Sequence, residues 1–341
     1  MKRTLQAVFL AIFAIEALVV GQGTEVTRVL GEIRAALGGA DKVAAVKSMS
    51  VDGHTTRLLP DGSSVDQNFE MAFDLSSGPV KFMKKEVVAQ MGDTTISRRS
   101  GFNGDELIDV TDMPPGMGGS GGGNMRVMSF GPGGITQAGQ GTPEEIAAKN
   151  KERLVTAKRD FAKLVVAMIA DTTPAYPVQF TYGGQVEAVG GKADVLELKA
   201  VDGFGGKLYV DAKTHLPLML AWMDKEPLRV TLGGGGGTTT TMANGAQVRT
   251  FSNGGGAGGG AMTQDDMARM QADMAARMKE AEANRKTVEY RMYYADYKAV
   301  DGVKLPTRIQ RMIDGLPADE LSLDKIKVNG KIDAAKFSVA K

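Results

Sequence analysis

Twenty methionines, two histidines and no cysteine set the chemistry open to this 341-residue chain. Without a thiol there is no cysteine nucleophile, no disulfide and no lipid-modified cysteine. A zinc site needs three or four ligands from His, Cys and carboxylates. His54 and His215 stand far apart and fit no ligand spacing, so both read as surface or half-buried structural residues. Methionine is the unusual donor. In the run MTQDDMARMQADMAARMKE, Met267, Met270, Met274 and Met278 recur at spacings of three, four and four, on one face of a helix. Three chemistries fit that stripe. It is ordinary core; or a pliable apolar lid, since Met adapts to irregular ligands; or a thioether site for Cu(I), which soft sulfur selects. A glycine tract precedes the helix and favours the lid, because a helix on a flexible tether can swing. Trp222, the single tryptophan, lies in the Leu218–Met223 segment and belongs either to the core or to the lining of the same cavity.

Other motif matches fail on context. Gly118-Gly119-Ser120-Gly121-Gly122 matches G-x-S-x-G, and Gly116, Gly118 and Gly121 match G-x-G-x-x-G. The first needs a strand before it and a helix after it; the second needs a βαβ unit. Both lie in a glycine tract instead. The pairs Glu144-Glu145 and Asp265-Asp266 open helices, where they complement the helix dipole without acid–base work. The residues therefore specify no enzyme and no cofactor.

The elements that position these residues are mostly strands. Asp52-Gly53, Asp61-Gly62, Asn103-Gly104, Asp202-Gly203, Asn244-Gly245, Asp301-Gly302, Asp314-Gly315 and Asn329-Gly330 are pairs that favour hairpin turns. Between them apolar residues alternate, as at Val303, Leu305, Thr307 and Ile309, at Leu321 and Leu323, and at Leu196 and Leu198. An antiparallel sheet with one buried face gives this pattern. Three helices are expected. Thr24–Leu37 carries Val26, Val29, Leu30, Ile33 and Leu37. A second begins with a Thr142/Glu145 capping box and Pro143, carries Leu154, Phe161, Val165 and Met168, and ends near Asp171. The third runs from Thr263 to about Asn284 and holds the methionines. The fold class is α+β, a large antiparallel sheet with two or three helices against one face.

The first residues, MKRTLQAVFLAIFAIEALVVGQG, pair a basic start with an apolar run interrupted by Glu16, which reads as a signal peptide over 1–21. The remainder, 22–341, then forms one domain, with glycine-rich flexible insertions at about 113–141 and 232–261. Met113–Gly141 and Leu232–Gly260 together hold 23 of the 44 glycines. With the signal removed, 39 basic residues balance 39 acidic ones, which points away from nucleic acid as a partner.

Three stretches resemble bacterial periplasmic outer-membrane lipoprotein-sorting proteins, the Lol-type carriers and their relatives. They are Gly101-Phe102-Asn103-Gly104 with the strand after it, the segment from Leu208 through Asp211 and Thr214 to Pro217, and Tyr294–Pro306 with its Asp301-Gly302-Val303 turn. Leu37-Gly38-Gly39-Ala40-Asp41-Lys42 resembles their N-terminal part. The resemblance implies an incomplete antiparallel barrel around helices, enclosing an apolar cavity for acyl chains. It implies a periplasmic, non-catalytic protein whose partner is an apolar ligand or a lipoprotein acyl chain, with an envelope protein as a further partner. Met267, Met270, Met274, Met278 and Trp222 are then the candidate ligand-binding residues. The alternatives are a structural or interaction protein of the envelope with a filled core, and a copper-handling protein using Met sulfur.

Overall fold

A computed structural model describes residues 23–58, 63–76, 78–91, 94–112, 128–131, 134–137, 142–188, 190–227, 237–241, 247–251, 269, 272, 276–277 and 279–339. Helix α1 spans residues 23–36 and α2 spans Ala40–Ala44. Five strands follow: β1 (Ser48–Leu58), β2 (Ser64–Asp74), β3 (Lys81–Met91), β4 (Thr94–Asn103) and β5 (Glu106–Asp112). After the short strands β6 (Met128–Gly131) and β7 (Gly134–Gln137) comes helix α3 (Pro143–Ile169). Then come β8 (Val178–Ala188), β9 (Gly191–Ala200), β10 (Gly205–Asp211) and β11 (Pro217–Lys225), the short β12 (Gly237–Thr241) and β13 (Gln247–Phe251), and finally β14 (Thr287–Val300), β15 (Val303–Ile313) and β16 (Leu316–Val328). A 3-10 turn at Ala334–Phe337 follows.

Twelve strands form one antiparallel sheet in the order β5-β4-β3-β2-β1-β16-β15-β14-β11-β10-β9-β8. The sheet is not closed, since β5 and β8 remain its two edges. This is the antiparallel sheet expected from the alternating sequence, in the incomplete-barrel form that the resemblance implied. Every neighbour is a hairpin partner except where β1 meets β16 and where β11 meets β14. The first junction brings the two ends of the described chain together. Asn329 pins it, accepting from the Lys47 and Ser48 amides and donating to the Ala45 carbonyl.

The turn chemistry is obeyed where the chain reverses. Asp301 and Gly302 both have positive φ, as do Asp314 and Gly315, as a two-residue hairpin of this kind requires. Asp52-Gly53 is a correction: it lies inside β1, at a register shift against β16. Glycine is needed there for closeness. A Cβ on Gly53 would lie 2.2 Å from the Ser322 carbonyl oxygen and 2.8 Å from the Phe69 ring. Asn329-Gly330 ends β16 without starting a hairpin, while Asp61-Gly62 and Asn244-Gly245 lie outside the described residues. In the glycine-rich segments the described residues are short strands. β6 pairs with β7 and β12 with β13, two hairpins separate from the main sheet.

Helix α3 starts as its sequence dictates. The Glu145 amide donates to the Thr142 hydroxyl and the Thr142 amide donates to the Glu145 carboxylate, with Pro143 in the first turn. It ends where Ala170 turns left-handed. Phe161, Val165 and Met168 are buried, and Leu154 is half-buried. Helix α1 buries Val29 and Ile33, with Leu37 just beyond its end. It docks on the β14–β15 turn, where the Lys304 amide donates to the Leu37 carbonyl. A Cβ on Gly38, which has φ +123°, would stand 2.3 Å from the Gly302 carbonyl oxygen. On the convex side Phe337 covers Ala72, Met83 and Ile108 as a separate small cluster.

Candidate ligand site on the concave face

Strand alternation decides what the concavity contains. On β1 the buried series is Met49, Val51, Gly53, Thr55 and Arg57. Register carries this face across the sheet. Arg57 pairs with Asp319 of β16, which pairs with Arg311 of β15; Met49 pairs with Phe73 of β2, which pairs with Phe82 of β3. The concave face is therefore layered. Its floor is aromatic, with Phe73, Phe82 and Phe102 surrounding Phe161 of α3 at ring-centroid distances of 5.5, 4.9 and 5.6 Å. Burying one such ring contributes about 1.5–3 kcal/mol, and each well-set ring pair a further ~1 kcal/mol.

Above the floor the same strands carry a belt of charge. Lys84 reaches Glu86 at 2.7 Å, Arg311 is bonded to Asp319, and Lys163 of α3 reaches Asp160 at 2.9 Å. Asp109 of β5 holds both Arg98 and Arg153, tying the first half of α3 to the sheet edge. Arg57 is the least satisfied member. It is 6% exposed, and its closest carboxylate is Glu86 at 4.0 Å, already engaged by Lys84. Burial pushes the Arg57 guanidinium below its ordinary pKa, against the pull of Glu86 and Asp319. Burial acts on Arg311 in the same sense, but Asp319 beside it wins and raises its pKa. For Asp319 burial pushes up, and the Arg311 guanidinium pulls it below the usual carboxylate range. Taking such pairs out of water costs several kcal/mol per ion unless the hydrogen bonds are complete.

Trp222 faces this belt from β11. Its ring stacks on Tyr290 at 5.5 Å, and the Lys163 ammonium lies 4.4 Å from its centre. The tryptophan is buried, yet its Nε1 finds no hydrogen-bond partner among the described residues, and neither do Arg57 Nε, Thr55 Oγ1 and Tyr294 Oη. Each such buried group costs ~1–3 kcal/mol. Exposed apolar residues stand at the lip. Val65 pairs with Arg57, and Leu316, 69% exposed, pairs with Ile313.

Of the residues singled out from sequence, Trp222 lies on the concave face. Met267, Met270, Met274 and Met278 lie outside the described residues, although positions 269, 272, 276, 277 and 279–283 are helical. The histidines lie away from the belt. His54 meets Asp324 at 2.8 Å on the convex side, and His215, in the β10–β11 turn, is 3.4 Å from Glu32 of α1. Among the described residues no group of three or more His, Asp or Glu is placed to hold a metal ion, and no helix is long and apolar enough to cross a membrane. Sequence reasoning missed the belt. Its signal was present in β1, where Thr55 and Arg57 continue the inward series begun by Met49 and Val51.

No family model matches the chain, and no curated protein matches it. Solved structures similar to it include a DUF1329 family protein from Desulfovibrio piger, at 11% identity over 92% of this chain and 97% of that one, with a TM-score of 0.42. A domain ascribed to outer-membrane lipoprotein sorting, from Vibrio parahaemolyticus, is 10% identical over 91% of this chain and 94% of that one, with a TM-score of 0.41. A LolA superfamily protein from Nitrosomonas europaea is 11% identical over 89% of this chain and 96% of that one, also at 0.41. Likeness at this level carries no functional argument, so the reading of function rests on this chain's own residues.

Proposed function

We propose that the protein is a non-catalytic periplasmic binding protein that holds a lipid acyl chain, a lipoprotein or another apolar ligand between its concave sheet and α3. The observation that carries this reading is how α3 covers the sheet. Its first ten residues are exposed, rim ion pairs guide its middle, and Phe161 is its deepest contact with the floor. A helix held this way can yield to a chain sliding beneath it. The exposed lip at Val65 and Leu316 supports entry from the charged rim. On the same reading residues 1–21 direct export and are removed, and 22–341 act as one domain. Met267, Met270, Met274 and Met278 form an apolar cover, with Trp222 in the lining. β11 ends and β14 begins at the rim that carries the lip, where such a cover would be attached.

A second reading has its own observation. Phe161 fills the floor between three other rings, which favours an envelope interaction protein with a completed core. Mass spectrometry of protein purified from a native-like envelope extract separates the two. Co-purified lipid or lipoprotein supports carriage. Clean protein that also fails to take up a fluorescent fatty acid refutes carriage and leaves the filled-core reading.

A further inference from the structure

Thr55 Oγ1, Arg57 Nε, Trp222 Nε1 and Tyr294 Oη all sit on inward-facing positions of the central strands, buried and without a hydrogen-bond partner among the described residues. All four can donate, and the Arg57 and Trp222 groups can only donate. Native interiors rarely leave such groups unmet, and among the described residues four of the five lie on this face, the fifth being Thr173 in the loop after α3. Charge points the same way. Arg57, Lys84, Arg311 and Lys163 face Glu86, Asp160 and Asp319, four cations against three carboxylates. At the sheet edge Arg98 and Arg153 both pair with Asp109. The charged groups form a chain of neighbours across the face, from β1 to β11, which stand four places apart in the sheet. Arg57 feels Asp319 and Arg311, Arg311 feels Asp160, Asp160 holds Lys163, and Lys163 lies on Trp222. Buried donors in surplus, beside a cluster with one cation more than carboxylates, describe a receptor for oxygen acceptors bearing negative charge.

We propose that the belt binds the oxyanion of an amphiphile, a carboxylate or phosphate on an apolar chain, with Arg57 as its principal donor. Thr55, two residues before Arg57 on the same face of β1, flanks the head, Trp222 faces it from across the concavity, and the chain leaves over Val65 and Leu316. The inference rests on the carrier reading and makes it specific: the ligand's head is recognised, not only its chain. Arg57 presents a planar fork that suits a two-oxygen acceptor.

Trp222 is the only tryptophan, so its emission reports the site directly. The full-length chain is titrated with dodecanoate, dodecyl phosphate and dodecanol. An anionic probe that shifts Trp222 emission and binds about tenfold or more tighter than dodecanol supports the proposal. The tighter of the two anions tells a fatty-acid head from a phosphate head. Arg57→Gln should abolish that preference and Arg57→Lys restore part of it, with circular dichroism confirming the fold. Thr55→Val guards against failure of the arginine variants to fold. It deletes an unmet hydroxyl with little change of shape, so it should fold at least as well and bind the anion several-fold more weakly. Dodecanol binding as tightly as either anion overturns the head-group proposal while leaving chain carriage intact. An unchanged preference in a folded Arg57→Gln protein also overturns it. Failure of all three probes to bind removes both.

Discussion

Phe161 is the point at which α3 is anchored, and its truncation tests the architecture most directly. The side chain is fully buried and touches three aromatic rings. Phe→Ala in a core costs about 3–5 kcal/mol, because the transfer energy of the ring is lost and a cavity remains. Three ring pairs, each contributing roughly 0.5–1.5 kcal/mol beyond area, place Phe161→Ala near the upper end, at ~4–5 kcal/mol. With a urea slope of about 3 kcal/mol per molar, the midpoint should fall by roughly 1.5 M. Phe161→Leu keeps most of the volume and should lose only ~1–2 kcal/mol. The assay is urea denaturation followed by circular dichroism, which reports the sheet, and by Trp222 emission, which reports α3 through Lys163. If α3 is a separable cover, Phe161→Ala should shift the Trp222 transition further than the sheet transition. A midpoint change below about 0.3 M by both probes would refute the idea that this ring fastens the helix.

The other predictions follow from single contacts. Gly53→Ala must push a Cβ against the Ser322 carbonyl and the Phe69 ring, so a loss of ~1–3 kcal/mol is expected in thermal or urea unfolding; a neutral result would mean the β1–β16 register shift is not tightly held. Burial pushes Asp202 up, but the Tyr176 hydroxyl, Arg159 and the Phe204 amide outweigh it and draw its pKa from 3.8 to about 2. A depressed folded pKa gives stability that is present above the ordinary carboxylate value and lost as pH falls through the folded value, hence between about pH 4 and 2. That shift corresponds to ~2 kcal/mol, discounted to ~1 kcal/mol for a partly exposed group. Asp202→Asn should flatten the acid limb of the stability–pH curve by that amount, and superimposable curves would sink the assignment. Replacing Arg57, Arg311 and Asp319 together by Met, Met and Leu should give a protein at least as stable as the parent, since apolar replacement of a buried ionic network is often neutral or stabilising; a collapse by several kcal/mol would show that the belt serves the fold.

Local signals were legible and assembled ones were not. The Thr142–Glu145 capping box is written in four consecutive residues and appears as read. The Asp301-Gly302 and Asp314-Gly315 turns hold for the same reason, because positive φ at two adjacent positions is a property of those residues alone. Asp52-Gly53 carries the same letters but serves another purpose. A short sequence does not tell a glycine chosen for its φ from one chosen for the approach of Ser322, some 270 residues away. The belt needs still more: Arg57, Glu86, Lys163, Trp222, Arg311 and Asp319 come from six elements and meet only once the sheet curves. Sequence alternation could have flagged Arg57 as an inward polar residue, but its carboxylate neighbours depend on the β1–β16 pairing that closes the order of the sheet.

The position of the belt separates stability from function. An aromatic floor alone would bury the concave face at lower cost than a layer of guanidinium, ammonium and carboxylate groups. That layer sits at one rim, where β1 turns to β2 and β15 to β16, and where β5 and β11 give way to the two long connections of the chain. At the opposite rim, around the β14–β15 turn, Leu37, Val303 and Leu305 are buried and apolar. If the charges existed to fix strand register, the buried end would serve equally well. If they existed for solubility, they would face outward. At that opposite rim the buried Asp194 is fully met, by Arg28, Tyr182 and Gln185, whereas inward charge with unmet donors, found at the end with an exposed apolar lip, follows from a need to hold something polar that arrives attached to something greasy.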